Sequence, residues 1–204
     1  KSTLQDGRAV FNGAIFKSEY DDKQESILIP VNLANVATVI RNAASMEMTG
    51  IELELMYQVT EAWDLMVTYG YLEAEYKDYL ADLTGDGIIT DNSGLIPRNT
   101  PENTFGFTTS YTAQLGNGEL KGRVSYRFRD EMNSDSSNNP LGDLDSIENV
   151  NATLSYSVDN YSITLWGRNL TDEREQRWAT IGGLTSRGWW NEPSTVGVTF
   201  NVSY

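Results

Sequence analysis

The stretch Leu120-Lys121-Gly122-Arg123-Val124-Ser125-Tyr126-Arg127-Phe128-Arg129 decides the fold. Successive side chains of a β-strand point to opposite faces. One face here carries Leu120, Gly122, Val124, Tyr126 and Phe128; the other carries Lys121, Arg123, Ser125, Arg127 and Arg129. Strands of soluble sandwiches also alternate, but their polar faces usually mix signs. Cations crowded on one face repel one another unless they line a wet, acid-rich interior. The pattern suits a strand with hydrocarbon on one side and water on the other.

The same alternation recurs along the chain. Ile51, Leu53, Leu55, Tyr57 and Val59 oppose Glu52 and Glu54. Trp63, Leu65, Val67, Tyr69 and Tyr71 oppose Asp64, Thr68 and Gly70. Phe105, Phe107 and Tyr111 alternate with Thr and Ser, as do Val150 to Val158 and Val196 to Tyr204. Eight strands are predicted, over 8–20, 36–59, 62–76, 102–113, 119–130, 147–158, 161–168 and 193–204, with 21–35 left irregular. Aromatic residues gather near strand ends, as the girdles of a membrane barrel do.

The connections sort into short (Thr60–Ala62, Gln114–Gly118 with its Asn117-Gly118 dipeptide, Asp159-Asn160) and long (Lys77–Pro101, Asp130–Ser146, Asn169–Glu192). They alternate strictly. An up-and-down antiparallel sheet then has tight turns at one end and long loops at the other, the asymmetry of outer-membrane barrels.

Composition removes other classes. The chain of 204 residues has a net charge of −14 and neither His nor Cys. An acidic chain argues against a nucleic-acid partner. Without His or Cys, this chain supplies no imidazole base, thiol nucleophile, disulfide or Cys-bound zinc. No apolar run is long enough for a transmembrane helix. No signal peptide is recognisable, and the first residue is Lys1, which reads as a mature chain or a piece of one.

Several segments resemble the C-terminal barrel of a TonB-dependent outer-membrane receptor. They are the turn Lys1–Arg8 ahead of a strand with Phe16 and Tyr20, Asn42-Ala-Ala-Ser with Thr49-Gly50-Ile51-Glu52-Leu53-Glu54, and Ile96-Pro97-Arg98-Asn99-Thr100-Pro101. The most specific is Gly167-Arg168-Asn169-Leu170-Thr171-Asp172, with its NLTD element. The resemblance covers residues 1–204. It implies part of a 22-stranded antiparallel barrel in a Gram-negative outer membrane, its plug, TonB-contacting box and about 14 strands not present here. It implies TonB-driven uptake of iron-siderophores, cobalamin or saccharides rather than catalysis. It also makes Phe200, Val202 and Tyr204 the signal read by the barrel assembly machinery.

Candidate sites follow. Arg127 and Arg129, with Lys121 and Arg123, can guide an anionic solute; pairing with acids from neighbouring strands or a plug is the simpler reading. Trp178, Arg187, Trp189 and Trp190 lie in the last long loop, where aromatics and Arg serve as recognition anchors or pack the loop base. Asp82, Thr84, Asp86, the Ile88 carbonyl, Thr90 and Asp91 have calcium-loop spacing around Gly87. Ser93 stands where the bidentate Glu belongs, which favours a solvated acidic turn. Glu52 and Glu54 on one strand lack the opposed geometry of a glycosidase pair. No other cofactor is expected. The rival to the receptor reading is a secreted acidic β-sandwich that binds calcium or carbohydrate.

Overall fold

The computed structural model describes residues 2–32, 35–174, 176–182 and 185–203. Its strands are β1 (Ser2–Leu4), β2 (Ala9–Asn32), β3 (Asn35–Thr60), β4 (Trp63–Ala81), β5 (Thr90–Asp91), β6 (Asn103–Leu115) and β7 (Gly118–Arg129). There follow β8 (Met132–Asn133), β9 (Asp143–Leu144), β10 (Ile147–Val158), β11 (Tyr161–Arg168), β12 (Gln176–Gly182), β13 (Thr185–Trp190) and β14 (Thr195–Val202). One antiparallel sheet runs β1-β2-β3-β4-β6-β7-β10-β11-β14, with β5 folded back on β4. The pairs β8–β9 and β12–β13 are small ribbons within the long connections. All eight predicted strands are present.

Register sorts the faces. Leu65, Thr109, Val124, Ala152, Gly167 and Val196 form one cross-strand row, and Trp63, Tyr111, Gly122, Leu154, Leu165 and Val198 the adjacent apolar row. No protein layer packs over these rows at the β14 edge, where Val196 is 74% and Val198 61% exposed. On β4 the apolar rows run from Trp63 to Tyr71, a rise of about 26 Å, close to the apolar band of a membrane barrel. Beyond Tyr71 the same face turns ionic. Lys17 pairs with Glu19 at 3.1 Å and Glu47 at 2.8 Å, and Lys77 with Glu75 and Glu47.

The turn between β6 and β7 is Gly116–Asn117, one residue earlier than the Asn117-Gly118 dipeptide suggests. Leu115 pairs with Gly118 in the ladder, and Gly116 takes the left-handed conformation (φ 62°). Gly118 is held in place by Tyr156, whose ring would collide with any Cβ there.

A second correction concerns 21–35, expected to be irregular. β2 continues to Asn32, with register shifts at Tyr20/Lys23, Lys23/Gln24 and Pro30/Asn32. Bulges absorb the polar Asp21-Asp22-Lys23-Gln24 run, Asp22 taking φ 54°, while the ladder with β3 resumes. A strand of 24 residues is about 80 Å long, far more than a bilayer needs. The excess projects from the loop end of the sheet. There Ile27, Ala44, Met46, Tyr76, Tyr79 and Ala81 form a small buried core.

Part of a wider barrel should leave the sheet open, with no pairing between its first and last long strands. β2 pairs for three residues with the short β1, and β14 pairs with β11; no described pairing joins β2 to β14. The arc is open.

Candidate functional site

The polar face is divided by charge. One row reads Asn12, Glu54, Thr68, Gly106, Arg127 and Asn149 across β2, β3, β4, β6, β7 and β10. Glu54 and Arg127 therefore stand three strands apart, about 14 Å in the sheet. Of the two pairings expected for the cations, only the one with neighbouring strands can be followed within this chain. Among the described residues Lys121, Arg123 and Arg127 make no ion pair, and their ladder partners are Thr112, Ser110, Gly106, Ser155, Thr153 and Asn149. Glu54 is satisfied by the Asn12 amide at 2.7 Å. A gap wider than the roughly 8 Å Debye length in physiological salt leaves acid and base strips largely unneutralised.

The basic strip ends in a cavity of about 700 Å³ at the loop end, whose lining includes Arg127, Arg168, Asn149, Asn151, Asn169 and Trp190. Three groups predicted from the sequence meet here: Arg127, Arg129 and Trp190. Arg129 is 5% exposed and donates to the carbonyls of Asp130 and Asp145, bracing the base of the 130–146 connection. Trp189 is exposed outside the lining. Trp178 and Arg187 pair in the β12–β13 ladder with Trp189 and Thr180. Sequence reading missed Arg168, although alternation along β11 places it beside Trp166, on the row of Thr164 and Ser162. Its guanidinium sits 5.3 Å from the Trp166 ring centroid, which fixes the head without neutralising it.

The NLTD element builds the floor. Asn169 adopts φ 49° and is 5% exposed. Its Nδ2 donates to Glu173 O (3.0 Å) and Glu192 O (2.9 Å), and its Oδ1 accepts from Asn149 Nδ2, Thr171 Oγ1 and Glu173 N. One amide thus ties both ends of the last connection to β10. Leu170 covers Gly167, Thr171 donates to Glu148 O, and Asp172 accepts from Ser194 N.

In the 82–91 loop the carboxylates turn to their own backbone. Asp82 accepts from the amides of Thr84, Gly85 and Gly87, Asp86 from Ile88, and Asp91 from Ser93. Among the described residues no three acidic side chains converge as a metal site. Burial pushes the Asp82 carboxyl up, but the Gly87, Gly85 and Thr84 donors outweigh it and hold the group below its ordinary value. A depressed carboxyl stabilises the loop above its ordinary titration range and loses that contribution as pH falls through the folded value. Proteolytic cleavage within 82–91 should therefore accelerate below about pH 4, whereas Asp82→Asn should reduce this pH dependence to the part carried by Asp91, whose carboxyl the Ser93 donors also hold below its ordinary value. Equal cleavage at neutral and acid pH in the unmodified protein would remove the carboxylate from this role.

The family model described as TonB dependent receptor-like, beta-barrel, matches residues 1–170. The chain belongs to the TonB-dependent receptor family. Solved structures agree in fold. The ferric yersiniabactin uptake receptor FyuA of Yersinia pestis matches with TM-score 0.76 and 18% identity, over 97% of this chain and 28% of that one. The siderophore receptor PiuA of Acinetobacter baumannii gives 0.71 and 22%, over 98% and 27%. The outer membrane transporter YddB of Escherichia coli gives 0.60 and 11%, over 96% and 30%. The chain thus spans under a third of each of these receptors. Within this family the apolar rows are the lipid face and the charged rows the lumen. The secreted-sandwich rival is disfavoured.

Proposed function

We propose that this chain is the C-terminal wall of an outer-membrane uptake receptor powered by TonB, the plug and remaining strands being supplied by the rest of the protein. We take the loop end as extracellular and Phe200, Val202 and Tyr204 as the signal for barrel assembly; Tyr204 lies outside the described residues. The cargo is a small solute, foremost an iron-siderophore, as the names of the similar receptors suggest, with cobalamin or a saccharide as further members of the class. The observation that carries this reading is that Arg127 and Arg168, neither in an ion pair among the described residues, line one loop-end cavity with Trp190, with Glu192 as the acid in the same lining. Guanidinium pairs recognise anionic oxygen groups, and an indole supplies apolar area for the solute body.

The test uses the full-length receptor in a Gram-negative host, measuring uptake of radiolabelled ferric chelates with and without TonB. Uptake should require TonB. Arg127→Glu together with Arg168→Glu should weaken solute binding by about 30-fold or more, the scale of losing buried charge recognition. TonB-independent uptake, or full affinity in the double variant, would count against this reading.

A further inference from the structure

Glu25 has 0% exposure, yet it sits on β2 well above the apolar band. Its Oε1 accepts from Tyr76 Oη of β4 at 2.8 Å and contacts Lys23 Nζ. Its Oε2 lies 3.5 Å from Arg98 Nε and has no hydrogen bond. One buried carboxylate therefore joins the β2–β3 hairpin, the β4 extension and the 82–102 connection.

The 130–146 connection closes the circle. Ser136 Oγ donates to Ser26 O at 3.1 Å, next to Glu25. Ile96 N donates to Asn138 Oδ1 at 2.7 Å, and Asn138 Nδ2 returns a bond to Ile96 O at 2.8 Å. Asn99 N donates to Asn133 O at 2.8 Å. Pro97, between these bonds, is fully buried. Along β3 and β4 the core residues Met46 and Tyr76 continue the parity of Glu52, Glu54 and Gly70, so this core sits on the charged-row face of the extended strands.

We propose that Glu25 is the keystone of a single gate leaf, in which the β2–β3 hairpin and the 82–102 and 130–146 connections move as one body over the lumen. A buried carboxylate is costly to leave unpaired, so its partners are held together or released together. Burial, with Arg98 nearby, lowers the Lys23 pKa. Tyr76 is pushed up to about 12, first by burial and then by Tyr79. The inference rests on the receptor reading only for which side is the lumen; the coupling is measurable without any solute.

Hydrogen exchange on the intact receptor tests it. In Glu25→Gln and Glu25→Ala, protection should fall by about ten-fold or more at 96–99 and also at 133–138, segments that open with the hairpin if the body is one. The β6–β7 ladder should keep its protection, reporting an intact barrel. Arg98→Lys, which keeps the charge, should retain most of the coupling, and Ser136→Ala should lower protection at 133–138 less than the Glu25 variants do, since Asn138 and Asn133 still hold Ile96 and Asn99. Loss confined to 20–27 and 76–79 in the Glu25 variants would overturn the proposal. So would unchanged protection everywhere. Failed uptake with intact exchange coupling would strike the receptor reading and leave the gate leaf standing.

Discussion

Replacing Val124 with Arg should cost about 2–4 kcal/mol, enough to deplete the folded barrel in the membrane. Val124 lies mid-strand on β7, in an apolar row flanked by Thr109 and Ala152. Its side chain is exposed because lipid, not protein, is its solvent. A charge there has neither water nor a counter-ion. Arg123, one residue earlier, should tolerate Val with far smaller loss, since its face is wet. Heat-modifiability on gels gives the folded fraction. Labelling with a membrane-impermeant thiol reagent gives the facing: Arg123→Cys should react and Val124→Cys should not. The reverse outcome would mean that the register is wrong.

Asn169→Ala should destabilise the last connection by about 3 kcal/mol, from lost neutral hydrogen bonds and a left-handed backbone that Ala resists. Asn169→Gly keeps the backbone freedom and should recover about 1 kcal/mol of this. Asn169→Asp keeps the Oδ1 acceptor for Glu173 N and loses both donations to Glu173 O and Glu192 O. Hydrogen exchange over 169–194 measures the effect, and solute binding should weaken with it because Asn149, in the cavity lining, loses its brace. Wild-type protection in Asn169→Ala would show that the clamp is redundant.

Much of this wall is legible in the chain because strand alternation is local. Each residue's face follows from its neighbours two apart, so lipid and lumen sides of 51–59, 63–71 and 119–129 could be assigned without coordinates. The alternation of short and long connections likewise fixes which end carries the loops. The family resemblance singles out Asn169-Leu-Thr-Asp, but its role as a clamp is not legible in the residues.

The rest needed three dimensions. Whether Lys121, Arg123 and Arg127 find acids depends on register between strands far apart in the chain, and that register puts Ser, Thr, Gly and Asn beside them. The meeting of Arg127, Arg168 and Trp190 is a product of β7, β11 and the final loop closing on one mouth. Residues 21–35 looked irregular because bulges break the period of two while the ladder continues. The contacts of Glu25 were invisible for a different reason: its partners Tyr76 and Arg98, and Ser136 beside it, come from three later segments. Local chemistry determined which face each side chain takes; only long-range pairing decided which charges stay alone and which are buried together.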